Sequence, residues 1–268
     1  MPGLDNNKQA VFSQSWSYSH CNIWKFLRLM GIGVLSVGLL SVLSVFRISP
    51  GAVPEKPSAI LYVGLAARNI TPDPKNTVVW LAGFGRGRRA TGIHDSLYAR
   101  ALVLRHGQQK IALVSVDLIG LFYPEVKAIR QHLLDYTYIL VSSTHNHEGP
   151  DTLGLWGPNL FTTGMDKQYV HYLRQQVIQA IRDAEKHLQP CTAKYGLIHA
   201  PELLHDSRLP LVKHDELVTL EFLRVHPPAQ RLGILVQWNC HPETLGRSNT
   251  LLSADFVGAT VRWLEEKY

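Results

Sequence analysis

Two histidines one residue apart, His145 and His147, stand in the segment Ser142-Ser143-Thr144-His145-Asn146-His147-Glu148-Gly149-Pro150-Asp151, directly after the apolar, β-branched run 138–141. Such a run reads as a buried strand, and the small polar residues and the Gly-Pro breaker end it. The motif therefore lies at a strand's carboxyl end, the rim where open α/β sheets gather their ligand-binding loops. In extended chain, side chains two apart point the same way, which would present both imidazoles to one crevice. Paired imidazoles suit a divalent cation, zinc above all. Loop histidines bonded to backbone or water are the commoner explanation of so short a spacing taken alone. A second strand-like run, 232–238, delivers Asn239-Cys240-His241-Pro242-Glu243 by the same logic, so His241 could join His145 and His147 around a metal. Alternation turns Cys240 the opposite way, as a small buried filler. Glu243 could act as base or ligand, though a solvated loop carboxylate is the more ordinary role.

The elements that must position these residues follow from periodicity. Residues 60–66 read as a strand and 69–74 as a turn-rich exit. The stretch Ala82-Gly83-Phe84-Gly85-Arg86-Gly87-Arg88-Arg89 lacks the Lys-Ser/Thr ending of a phosphate-cradling loop and reads as a flexible loop on the substrate side. Runs 98–104 and 111–117 flank a short polar turn, which suggests a hairpin. Asp117, at the end of the second run, could orient a ligand histidine or, more simply, cap the next segment. A short amphipathic helix is expected over 124–134 and a long one over 166–188, stopped by Pro190. Strands follow at 192–198, 216–225 and 232–238, then a helix over 254–268. The order predicts a mixed α/β (α+β) fold, a mixed β-sheet packed with helices.

The chain has 268 residues, 46% hydrophobic and 18% charged, enough for one sizeable core and unlike a disordered tail or repeat array. Its formal charge of +6 comes from Lys and Arg interleaved with acids, which argues against a nucleic-acid partner. Three cysteines, Cys21, Cys191 and Cys240, form no Cys-X-X-Cys pair, so neither a disulfide framework nor a thiolate zinc site is expected. Residues 29–46 carry no charge and as a helix would rise about 27 Å, roughly a bilayer's hydrocarbon thickness. Lys8, Lys25 and Arg28 before it favour a cytoplasmic N-terminus and an exported remainder on the periplasmic or extracellular side. With no small-X-small cleavage site after it, the run reads as a retained signal anchor. The expected organisation is a cytoplasmic segment 1–28, a transmembrane helix 29–46, a Pro-rich linker 47–58 and a folded domain 59–268.

Taken together, Asn69-Ile70-Thr71-Pro72, Gly92-Ile93-His94-Asp95 with Tyr98-Ala99-Arg100-Ala101, Ser143 to Pro150, Trp238 to Pro242 and Asn249 to Asp255 resemble the neutral/alkaline, non-lysosomal ceramidases, a family of zinc-dependent amidases. The resemblance implies zinc ligands at His145 and His241, with His147 in the active site beside the metal. It also implies a substrate-handling arginine, matched to Arg208 in Asp206-Ser207-Arg208, and a membrane lipid amide of the ceramide type as substrate. Asn146-His147-Glu148 stands where the family's common form is Thr-His-Ser. Family members supply a glutamate, a tyrosine and a serine from a second half, so the chain is expected to be the N-terminal portion of such a hydrolase, incomplete at 268 residues. The alternative is a membrane-anchored, catalytically inactive or merely metal-binding protein.

Overall fold

The structure, a computed structural model, describes residues 60–207, 209–228 and 230–268. The proposed anchor 29–46, its linker and Arg208 lie outside the described residues. Among the described residues no helix is long and apolar enough to cross a membrane.

A seven-stranded mixed sheet organises the domain. Its strands are β1 (Leu61–Asn69), β3 (Tyr98–His106), β4 (Gln109–Val116), β5 (Tyr138–Ser143), β6 (Gln189–His199), β7 (Glu216–Arg224) and β8 (Arg231–Gln237), in the spatial order β5-β4-β3-β1-β6-β7-β8. The expected hairpin is present: β3 and β4 pair antiparallel from Ala99↔Val116 to His106↔Gln109. Gly107, at φ 57°, takes the left-handed position its two-residue turn needs. β4 and β5 run parallel, and two parallel neighbours need a crossover, which α1 (Tyr123–Arg130) supplies. The sheet is thus mixed, with antiparallel pairing everywhere else. A separate parallel pair joins β2 (Gly92–Ile93) to β9 (Leu251–Leu252), and α3 (Asp255–Lys267) follows β9.

The long helix α2 (Lys167–Lys186) covers one face of β1 and β3. Leu173, Val177, Ile181 and Ala184 face the sheet and are fully buried with Val103, Ala101, Val116 and Ala112. Burying each large apolar side chain contributes about 1.5–3 kcal/mol, whereas the Asp166 cap, whose carboxylate accepts from the Gln168 and Tyr169 N–H groups, is worth ~1 kcal/mol. The apolar stripe therefore sets where α2 lies, and the cap sets where it starts. Its end differs from expectation. The helix stops at Lys186, and Pro190 sits inside β6 opposite Tyr62 rather than acting as the stop. The chain leaves the helix early because it must turn back to lay β6 beside β1. On the other face, Val63, Leu102, Cys191 and Phe222 form a second cluster, and β8 curls towards β1 so that Gly233 rests on Leu65.

One contact between helix and sheet is a backbone approach. A Cβ on Gly64 would lie 1.9 Å from the Ala184 carbonyl oxygen, a clash that no rotamer change relieves. Gly64→Ala is therefore expected to lower unfolding stability in urea by about 3 kcal/mol or more, at the top of the usual overpacking range. Gly246→Ala, where nothing lies within 4 Å of the added carbon, should cost far less despite its φ of 71°.

Candidate metal centre

The chain leaves β5 at Ser143 and is held to the neighbouring strand exit by two backbone bonds, Thr144 N to Val116 O (3.0 Å) and Asn146 N to Leu118 O (3.1 Å). Asn146, between the two histidines, is fully buried. Its amide donates to the Ser253 carbonyl at 2.6 Å, and its side-chain oxygen accepts from the Glu148 N–H at 2.9 Å. A polar side chain so completely bonded fixes the segment from the inside, and the flanking imidazoles are left on the other side. The expectation that both rings share a side is met, but for a different reason than strand alternation. His145 lies outside β5, in the left-handed region at φ 64°.

The three imidazoles meet. Ring centroids lie 5.1 Å apart for His145 and His147, 4.9 Å for His145 and His241, and 4.7 Å for His147 and His241. One nitrogen from each ring falls within 4.8 Å of the other two. A tetrahedral site with bonds of about 2.0–2.1 Å has donor atoms roughly 3.3 Å apart, so the triad is open by about 1.5 Å at its widest. His145 hydrogen-bonds through Nδ1 to the Ile119 carbonyl at 2.8 Å. A carbonyl only accepts, so Nδ1 carries the proton and Nε2 keeps its lone pair for a metal. His147 has only 11% of its side chain exposed, and neither ring nitrogen makes a well-aligned hydrogen bond, although Glu243 Oε1 lies 3.1 Å from Nδ1. Burial pulls its pKa down to about 4, helped by His241, His145 and Arg88 and resisted by Glu243, so the ring is neutral at pH 7. An uncharged, largely buried imidazole whose Nε2 has no protein partner, beside two others, fits a cation better than it fits solvent.

The glycine-rich stretch, expected as a flexible loop on the substrate side, stands against His147. Gly83 lies against its ring, where an added Cβ would come within 2.5 Å, and Phe84 meets it edge-on at 5.0 Å. The glycine-rich segment is thus a wall of the site. Arg88, 8% exposed, donates through Nη1 to the carbonyls of His147 (3.1 Å) and Ala82 (3.2 Å), and through Nη2 to Glu148 (2.7 Å) and the Asn249 carbonyl (2.8 Å). Glu148 is wholly buried, and burial raises its pKa against the opposing hydrogen bonds from Asn249 and Arg88. Asp95 accepts from Ser253 Oγ (2.6 Å) and the Ala254 N–H (2.8 Å), which ties the segment after β9 to the strand β2 beside it. The stretches 92–95, 143–150 and 249–255, far apart in sequence, therefore form one frame.

Asp117 neither orients a histidine nor caps a helix. Its carboxylate accepts from the Tyr98 N–H (2.8 Å) and Arg100 (3.0 Å), because the exit of β4 lies beside the start of β3. Cys240 stays out of the triad, half-buried beside His241. Glu243 is 41% exposed, as a loop carboxylate would be, yet its two oxygens lie 3.1 Å from His147 Nδ1 and 2.9 Å from His241 Nδ1. The burial of Asn146 was not read from the sequence, which singled out only the two flanking histidines. Nor was the Arg88–Glu148 pair, since nothing local links the two.

Residues 61–202 match the family model described as "Neutral/alkaline non-lysosomal ceramidase, N-terminal", a span that includes His145 and His147 and ends before His241. Among solved structures, one titled "Ceramidase complexed with C2" aligns over 76% of this chain and 35% of its own, with TM-score 0.63 and 21% identity. The neutral ceramidase of Pseudomonas aeruginosa aligns over 76% and 36%, with TM-score 0.62 and 21% identity. The likeness is one of fold, and the chain spans about a third of the length of those structures.

Removing the guanidinium would leave Glu148 buried without its charge partner. Arg88→Met is expected to cost about 3–5 kcal/mol in urea unfolding, and the Arg88→Met/Glu148→Gln pair to recover part of that loss. A single-variant cost below about 1 kcal/mol, the range of exposed pairs, would contradict the clamp.

Proposed function

Because this chain belongs to the neutral/alkaline non-lysosomal ceramidase family, we propose that it carries the histidine side of a zinc-dependent amidase site acting on a lipid amide of the N-acylsphingosine type. The observation that carries this reading is the convergence of His145, His147 and His241 from two separate strand exits. In it, His145 and His241 hold the metal through imidazole nitrogen. Bound there, zinc would polarise an amide carbonyl and lower the pKa of a water towards ~7. His147, neutral and walled by Gly83 and Phe84, stands at the same centre and receives a proton on its free ring nitrogen or donates one to the leaving amine. The edge-on Phe84 ring covers one side of His147. Half-exposed His241 leaves the opposite side open to a substrate.

Amide hydrolysis is proposed for the whole hydrolase, of which relatives are longer; metal binding belongs to this chain and is tested on it directly. An anchor at residues 29–46, with the domain on the exported side, would set the site beside the bilayer that holds lipid amides. Arg208 is the proposed substrate-handling arginine.

The purified chain is expected to hold about one zinc, and His145→Ala/His241→Ala almost none, at unchanged far-ultraviolet circular dichroism. Equal, near-zero metal in both would remove the metal reading. Turnover of a fluorogenic lipid amide that chelator abolishes and zinc restores would support the amidase reading, and stoichiometric zinc without turnover would favour a metal-binding protein lacking catalysis.

A further inference from the structure

The Glu243 carboxylate touches two members of the triad at once, Oε1 at 3.1 Å from His147 Nδ1 and Oε2 at 2.9 Å from His241 Nδ1. Its place is not accidental to a loose loop. The Glu243 N–H donates back to the His241 carbonyl at 3.1 Å, Pro242 between them is buried, and the next two N–H groups, of Thr244 and Leu245, donate to the Asp255 carboxylate. His145 is already held by a protein acceptor at Nδ1, the Ile119 carbonyl. His147 and His241 have a carboxylate oxygen at the corresponding atom. A buried imidazole with both nitrogens unbonded is costly, and Glu243 is the group at hand to satisfy one of them.

We propose that Glu243 is a positioning residue, accepting from the Nδ1–H groups of both His147 and His241 and leaving Nε2 of each as the lone pair available to a metal or a proton. One carboxylate then sets the tautomer and the orientation of two rings, and the Ile119 carbonyl does the same for the third. All three histidines would use Nδ1 towards the protein. Metal-ligating histidines generally give their second nitrogen to a carboxylate or carbonyl, and loss of that partner weakens metal binding 10–100-fold. The inference deepens the metal reading and rests on it for the consequence in metal affinity, but not for the tautomers.

The test uses the full chain, labelled with 15N-histidine, metal-free and above about pH 8, where imidazoles are neutral. Long-range proton–nitrogen spectra should find His147 and His241 protonated on Nδ1, assigned with His147→Gln and His241→Gln. In Glu243→Ala both should lose that preference. In Glu243→Gln, whose amide has a single oxygen acceptor, only one of the rings should retain it. The zinc dissociation constant should rise about 10–100-fold in Glu243→Ala. Unchanged tautomers in Glu243→Ala would overturn the proposal, as would zinc affinity within about twofold of wild type. Tautomers that shift as expected in a chain that takes up no zinc would uphold the Glu243 pairing while removing the metal reading, so the two failures are distinct.

Discussion

The buried pairing of Arg88 with Glu148 is the constraint on which the site depends. Both charges are almost wholly removed from water, at 8% and 0% side-chain exposure, and such burial is tolerable only when the groups are well bonded. Arg88 reaches the Ala82 carbonyl of its own segment, the His147 carbonyl and the Asn249 carbonyl. Three chain segments are thereby tied together, the glycine-rich wall, the His-X-His segment and the stretch entering β9, and the backbone bonds Ala82 N to Gly149 O (3.0 Å) and Ser253 N to Glu148 O (3.1 Å) add to the same frame. A buried ion pair of this kind adds little net stability compared with a well-packed apolar replacement, so its value here lies in geometry.

That frame makes the centre asymmetric. On one side His145 and His147 grow from a segment pinned by Asn146, with His145 held in a left-handed conformation and His147 pressed between Gly83 and Phe84. On the other, His241 and Glu243 lie in the loop after β8, with side chains 47% and 41% exposed. The rigid half suits a fixed metal ligand and a neutral imidazole. The open half is where a substrate has room to approach.

The sheet and helices were largely legible because they follow local rules. The hairpin β3–β4, the long helix α2 and the strands carrying both histidine segments were all expected from periodicity, and a mixed sheet followed from their order. The convergence of His241 on His145 and His147 follows from the strand exits, but a left-handed His145 and a buried Asn146, not strand alternation, put the paired rings on one side. What could not be read was whatever depends on distant partners. Arg88 in a glycine-rich loop looks like a solvated charge until Glu148 and Asn249 are seen around it. Asp117 looks like a cap until the register of β3 brings Tyr98 and Arg100 beside it. Glu243 looks like a loop carboxylate, and by exposure it is one, but the fold sets it against two imidazoles.

The central claim is that imidazoles from two distant strand exits share one cation. The most direct measurement is anomalous diffraction at the zinc edge from crystals of the zinc-loaded chain. A single strong peak about 2.0–2.1 Å from ring nitrogens of both His145 and His241, with the His147 ring at its edge, is the predicted result. A map with no peak at the triad, or with zinc bound only at other histidines, would contradict the account.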